Sequence, residues 1–335
     1  MNTTPSPVPH GGSTSPERGT SHAPTPGQNK PQVDATGRVP HGERALVLGG
    51  GGSTGNAWLI GVVAGLYEAG LDVTGADLTI GTSAGSTAAA QLAGATPTEM
   101  LDAILTAAPQ QPPARSGGSS GGRGSVRPVS DHLERMTALI AAAEDAADLR
   151  RRMGAAALER EDAADSSQQE RWRATVAARL PSRHWPERPL LITAVDACTG
   201  VPVVFDRHSG IDLVDAVAAS CSSGFAYGIG GGRYIDGGYR ANAENADLAA
   251  GCARVLVLSP FGGRSLHPKE WGTHLSTQVD DLRAHGSRVE TIFPDADSEH
   301  LFGAHAMDLS LRPAAARAGQ RQGLARAEQL AEFWR

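Results

Sequence analysis

The stretch Leu78-Thr79-Ile80-Gly81-Thr82-Ser83-Ala84-Gly85-Ser86 constrains this chain more than any other. A short apolar run ends in Gly-x-Ser-x-Gly, and the small-residue pattern Thr87-Ala88-Ala89-Ala90-Gln91-Leu92-Ala93 that follows reads as a helix. A strand, an abrupt turn and a helix lift a serine out of a sheet and aim its hydroxyl outward. Gly81 and Gly85 suit so sharp a bend, because a side chain at either would strike the adjoining strand or helix. In a chain with 41 glycines the pentapeptide also arises by chance, and a lone serine there serves equally as a helix N-cap. Its meaning depends on the rest of the chain.

A second unit of the same kind precedes it. Ala45-Leu46-Val47-Leu48 reads as a buried strand, Gly49 to Gly52 and Ser53-Thr54-Gly55 as a loop. Trp58, Leu59, Val62, Val63 and Leu66 then recur at helical spacing until Gly70. Two successive strand–turn–helix units predict an α/β fold with a mainly parallel central sheet. Later strands are expected at Pro189–Val195, Val201–Phe205, Arg254–Leu258 and Val289–Phe293, and a short helix at Leu213–Ser220. The C-terminal helix is expected to bury Leu324, Ala327, Leu330, Ala331 and Trp334.

Composition divides the chain. Residues 1–42 hold Pro, Ser, Thr, Gly and His with almost no aliphatics, and so are expected to be a disordered segment ahead of a domain at 43–335. Within that domain, 110–130 is Pro-, Gly-, Ser- and Arg-rich and reads as a flexible insertion. Residues 131–180 carry two apolar stripes, Leu133, Met136, Leu139 and Ile140, then Trp172, Val176 and Leu180. They read as two or three helices, either packed on the domain or forming a cap over the site.

A net charge of −6 argues against a nucleic-acid partner. The three cysteines, Cys198, Cys221 and Cys252, have no metal-type spacing, so no metal and no cofactor is expected. No run of 18 apolar residues and no conventional signal peptide occurs, which predicts a cytoplasmic protein, at most peripheral to a membrane. Nothing in the sequence sets an oligomeric state.

Three features carry chemistry. Ser83 needs a neighbouring base before its hydroxyl becomes a nucleophile. The loop Gly49–Gly55 lets backbone N–H groups converge at a helix N-terminus, which suits an oxyanion hole. Asp236, with Gly237 and Gly238 behind it, places a carboxylate on a tight turn at a strand end. Each has a blander reading: Gly50-Gly51-Gly52-Ser53-Thr54-Gly55 also satisfies the dinucleotide pattern G-x-G-x-x-G, though no acidic ribose ligand follows on a second strand, and Asp-Gly-Gly is a common turn.

In that order the glycine loop, Gly81-Thr82-Ser83-Ala84-Gly85 and Asp236-Gly237-Gly238 resemble the patatin-like phospholipase family. Thr193-Ala194-Val195-Asp196, Thr199-Gly200 and Ala216-Val217-Ala218-Ala219-Ser220 support the likeness. The resemblance implies a three-layer α/β/α sandwich and a serine acyl hydrolase cleaving lipid or other carboxylic esters. On it Ser83 is the nucleophile, Asp236 its base, and Gly50, Gly51 and Gly52 the oxyanion hole, with Gly55, Gly81, Gly85, Gly237 and Gly238 in support. Two departures stand out: Thr54 occupies a position where members usually carry Arg or Lys, and Ser223-Gly224 stands where a proline is usual. The alternatives are a catalytically silent lipid- or acyl-binding module, or an α/β-hydrolase triad using one of His267, His274, His285, His300 and His305.

Overall fold

The computed structural model describes residues 34–108, 129–161 and 167–335. In chain order these hold β1 (Arg44–Leu48), α1 (Gly52–Glu68), β2 (Leu78–Gly81), α2 (Ala84–Gly94), α3 (Pro97–Thr106), α4 (Val129–Ala142), α5 (Ala146–Glu161), α6 (Ser167–Ala177), β3 (Leu190–Asp196), β4 (Pro202–Phe205), α7 (Leu213–Ser220), β5 (Tyr227–Ile229), β6 (Gly232–Asp236), β7 (Arg254–Leu258), α8 (Leu275–Ala284), β8 (Arg288–Ile292) and α9 (Arg312–Trp334).

The apolar runs become one mixed sheet in the order β5-β6-β3-β2-β1-β7-β8, with β4 also paired to β3. Pairs β3/β2, β2/β1, β1/β7 and β7/β8 are parallel, and β4, β5 and β6 make the antiparallel pairs. Alternation along each strand divides the core. Leu46, Leu48, Leu256 and Leu258 face the layer built from α1, α2, α3, α7 and α9. Ala45, Val47, Val255 and Val257 face the opposite layer, with Leu275, Val279 and Leu282 of α8. This is the α/β sandwich the sequence predicts.

One detail of β3 positions the site. Pro189 C=O accepts from Thr79 N–H of β2 at 3.0 Å, and Ala197 N–H donates to Arg233 C=O of β6 at 2.8 Å. These residues are an even number apart, so both present backbone groups to the same edge of β3, whereas Asp196 N–H donates to Val201 on the edge shared with β4. Strands β2 and β6 therefore share one edge and run toward each other. The last residue of β2, Gly81, pairs with Ile192, and the last of β6, Asp236, pairs with Ala194. Only Thr193 separates the two chain ends.

The C-terminal helix departs from the expected stripe. Leu324 is 40% exposed, and the buried face runs through Ala315, Ala316, Gly319, Gly323, Ala327, Leu330 and Trp334. The reason is backbone-to-backbone packing against α1. A Cβ at Gly61, Gly65, Gly319 or Gly323 would lie 2.1–2.3 Å from a carbonyl oxygen of the facing helix. Glycines spaced four apart on both helices create this contact, and it rotates Leu324 outward.

The N-terminal boundary also differs. Asp34–Gly42, expected to be disordered, carries a 3-10 turn at Thr36–Arg38, and Ala35 is fully buried. The edge strand β4 explains it: Ala35 N–H donates to Val204 C=O at 2.7 Å, and Val204 N–H donates back to Asp34 Oδ1 at 2.9 Å. Arg38 then pairs with Asp206 at 2.9 Å. Residues 1–33 and most of the expected insertion lie outside the described residues, as does the side chain of Leu133.

In the helical region, α5 and α6 dock on the domain. Leu149 and Met153 of α5 pack with Val195, Ala197 and Ile235. Trp172 of α6 donates from Nε1 to Ala218 C=O at 3.0 Å, and Arg173 pairs with Asp215 at 2.8 Å. No described helix is long and apolar enough to cross a membrane.

Candidate active site

The elbow forms because β2 must stop where α2 begins. Ser83 adopts φ 52°, ψ −117°, one of two non-glycine residues among those described with positive φ. Such a conformation costs on the order of 1–3 kcal/mol and persists only where its surroundings hold it. They hold it here from both sides. Ser83 N–H donates to Ser220 Oγ at 2.9 Å, and Cys221 Sγ donates to Ser83 C=O at 3.1 Å. Gly85 is obligatory, since a Cβ there would lie 1.9 Å from Leu48 C=O at the end of β1.

The hydroxyl so presented meets a carboxylate. Ser83 Oγ donates to Asp236 Oδ2 at 2.8 Å. Asp236 is 6% exposed; its N–H donates to Ser222 C=O at 3.2 Å, and its Oδ1 accepts from Gly238 N–H at 2.8 Å. Burial pushes its pKa up to about 6, against the pull of the Gly238 and Ser83 hydrogen bonds. Gly237 is required by the head-on approach of the strands, because a Cβ there would fall 2.1 Å from Thr193 Oγ1.

The glycine loop lies beside the pair. A Cβ at Gly50 would come within 3.5 Å of Ser83 Cβ. Of the three residues expected to supply donors, Gly50 differs: its N–H donates to Ala243 C=O at 2.8 Å. Among the described residues the loop and cap hydrogen bonds engage neither Gly51 nor Gly52 N–H. Gly52, at φ 63°, opens α1, and Gly55 packs on Pro260 in its first turn. Gly81 ends β2, as expected.

The histidines stand elsewhere. His267 Nδ1 pairs with Thr273 Oγ1, His274 Nε2 with His267 C=O, and His285 Nδ1 with Asp281 C=O. His300 and His305 lie on 3-10 turns ahead of α9. None of the five has a hydrogen bond to Ser83 or Asp236 among the described residues.

The family model described as patatin-like phospholipase matches residues 46–248. The chain belongs to the patatin-like phospholipase family. No curated protein matches its sequence. Among solved structures it is similar to the type III effector protein ExoU, at 16% identity and a TM-score of 0.32, over 85% of this chain. The chain spans about half of that protein, 54% of its length.

Two residues in or near this family domain were not foreseen. Asn245, fully buried with φ 55°, sits beneath the junction of β2 and β6. Arg312, from the start of α9, donates to Ser53 C=O at 2.8 Å and to Asn56 Oδ1 at 3.1 Å. Burial and the nearby Arg179 push its pKa down to about 10, and no carboxylate partners it among the described residues. Arg312 lies beyond the matched span, so no local motif marks it. Thr54, where family members usually carry a cation, is fully buried, with no partner for its Oγ1 among the described residues.

Proposed function

We propose that this protein is a serine acyl hydrolase of lipid esters working through a Ser83–Asp236 dyad. The observation that carries the reading is the 2.8 Å hydrogen bond from an elbow serine held at positive φ to a buried carboxylate. Asp236 Oδ2 takes the hydroxyl proton as Ser83 Oγ bonds to the ester carbonyl carbon. The carbonyl oxygen gains the negative charge, and the Gly51 and Gly52 N–H groups at the α1 N-terminus are the donors assigned to it. Collapse of the tetrahedral species breaks the carbon–alkoxy bond, and the departing alcohol takes the proton from Asp236. Water then repeats the sequence on the acyl-Ser83 ester, returning a carboxylic acid and the free serine.

An activity-based fluorophosphonate tests this. Labelling of the wild-type protein that vanishes in Ser83→Ala supports the hydrolase. Folded wild-type protein that never labels marks a silent acyl-binding module instead, and loss of activity in a single His→Ala variant marks a triad.

Arg312 favours an ester carrying an anionic headgroup. A half-buried guanidinium at the positive end of α1, with a second cation nearby and no carboxylate partner among the described residues, is electrostatically unfavourable until an anion arrives. Arg312→Gln should lower kcat/KM for an anionic phospholipid by about 10-fold while leaving a neutral short-chain ester nearly unchanged. Equal losses on both substrates would limit Arg312 to holding the glycine loop.

A further inference from the structure

We infer that Asn245 is the positioning residue that sets the Ser83–Asp236 distance by clamping the head-on ends of β2 and β6. The inference rests on the hydrolase reading above. Strands meeting end to end exchange no ladder hydrogen bonds across the gap, so something else must hold them in register. Asn245 Nδ2 lies at that gap. It donates to Thr82 Oγ1, the residue before the nucleophile, at 3.0 Å, and to Gly237 C=O, the residue after the base, at 3.0 Å. A third contact, at 3.5 Å, reaches Thr193 Oγ1 on the strand between them, and Thr193 Oγ1 is itself 2.9 Å from Thr82 Oγ1.

The amide has one orientation available. Its Oδ1 accepts from Arg240 at 3.2 Å, which leaves Nδ2 to face the acceptors. The backbone conformation aims the side chain into the gap. Asn245 takes the left-handed conformation, φ 55°, ψ 42°, and its N–H donates to Asn242 Oδ1. Asparagine tolerates that conformation better than most residues, and glycine tolerates it freely. Cys221 and Tyr239, which face Asp236, are both pushed up by burial, and the charged group on Asn245 is Arg240, itself paired with Asp247 at 2.8 Å. Asn245 touches neither substrate nor the reacting atoms; its effect passes through Thr82 and Gly237.

Asn245→Gly removes the clamp without straining the backbone, and Asn245→Asp keeps its shape but replaces the donor with a carboxylate. Both are measured in the full-length protein with a soluble p-nitrophenyl ester, with circular dichroism as the check on folding. The Gly variant should lose about 10- to 100-fold in kcat with KM within about threefold, because a dyad displaced by less than an ångström fails in chemistry and not in binding. The Asp variant, whose carboxylate keeps Arg240 but can no longer donate to Thr82 and Gly237, should show the same loss in kcat with KM within about threefold. Wild-type kcat in Asn245→Gly overturns the inference, as does loss of fold in both variants, which would make Asn245 a scaffold residue. Wild-type protein that neither hydrolyses the ester nor labels at Ser83 sinks the hydrolase reading itself, a result separable from either of these.

Discussion

Two serine–carboxyl pairs with buried carboxyls flank the glycine loop, and the proposed function assigns chemistry to only one of them. Ser83 Oγ donates to Asp236 at 2.8 Å; Ser259 Oγ donates to Glu244 at 2.5 Å. Both carboxyls are almost wholly buried, and burial pushes both up, Asp236 to about 6 and Glu244 to about 7. The difference lies in the serine. Ser83 is partly exposed, held at positive φ and followed at once by α2. Ser259 is fully buried, and its Oγ also accepts from Gly263 N–H at 2.8 Å. Glu244 packs against Gly49, where a Cβ would meet its Cγ at 3.2 Å, so the second pair ties the end of β7 beneath the loop at the end of β1. A serine–carboxyl hydrogen bond is therefore not a site by itself. Partial exposure and a strained elbow distinguish the first pair from the second.

The comparison breaks most sharply in activity. Asp236→Asn should lower kcat by about 1,000-fold or more, since it removes the base and leaves the hydroxyl in place. Glu244→Gln, the same change eight residues on, should keep kcat within about threefold, because its partner serine is fully buried. The pH–rate profile sharpens the contrast. Asp236 must be ionised to accept a proton, so kcat/KM should rise with pH through about 6 and the rise should persist in Glu244→Gln. A rise that moves with Glu244 would mean that the second pair gates the first.

The strand ends and their turns were legible because close approach is written as glycine. Gly85 under Leu48 and Gly237 under Thr193 admit no side chain, and the apolar runs before them alternate between two buried faces. Asn245 was not legible. In Ala-Asn-Ala-Glu-Asn it reads as an ordinary turn residue, and its partners Thr82, Thr193 and Gly237 come from three distant parts of the chain. The α1–α9 contact was missed for the opposite reason. Its glycines are visible, but helical periodicity is read from apolar side chains, and a face made by the absence of side chains leaves Leu324 as the false marker. The glycines between β1 and α1 were legible as a loop, yet only tertiary structure shows Gly50 N–H engaged by Ala243.

The smallest expected effect unites the two pairs. A carboxyl whose folded pKa lies above its ordinary value favours the fold while protonated. Its contribution is full below the ordinary value and lost as pH rises through the folded one. For Asp236 that window runs from 3.8 to about 6, and for Glu244 from 4.5 to about 7. At pH 8 both are ionised in the interior, each costing at most about 3 kcal/mol relative to a neutral side chain. Asp236→Asn and Glu244→Gln should therefore both gain stability over the wild type at pH 8, and the gain should shrink toward pH 5. Urea unfolding at the two pH values measures it. The same gain in both variants, set beside a loss of activity in only one, would show that burial of the carboxyl is a stability cost common to both pairs. A gain over the wild type that is no larger at pH 8 than at pH 5 would mean that the wild-type carboxyl is solvated enough to ionise freely, and for Asp236 that would remove the reason to expect a base with a raised pKa.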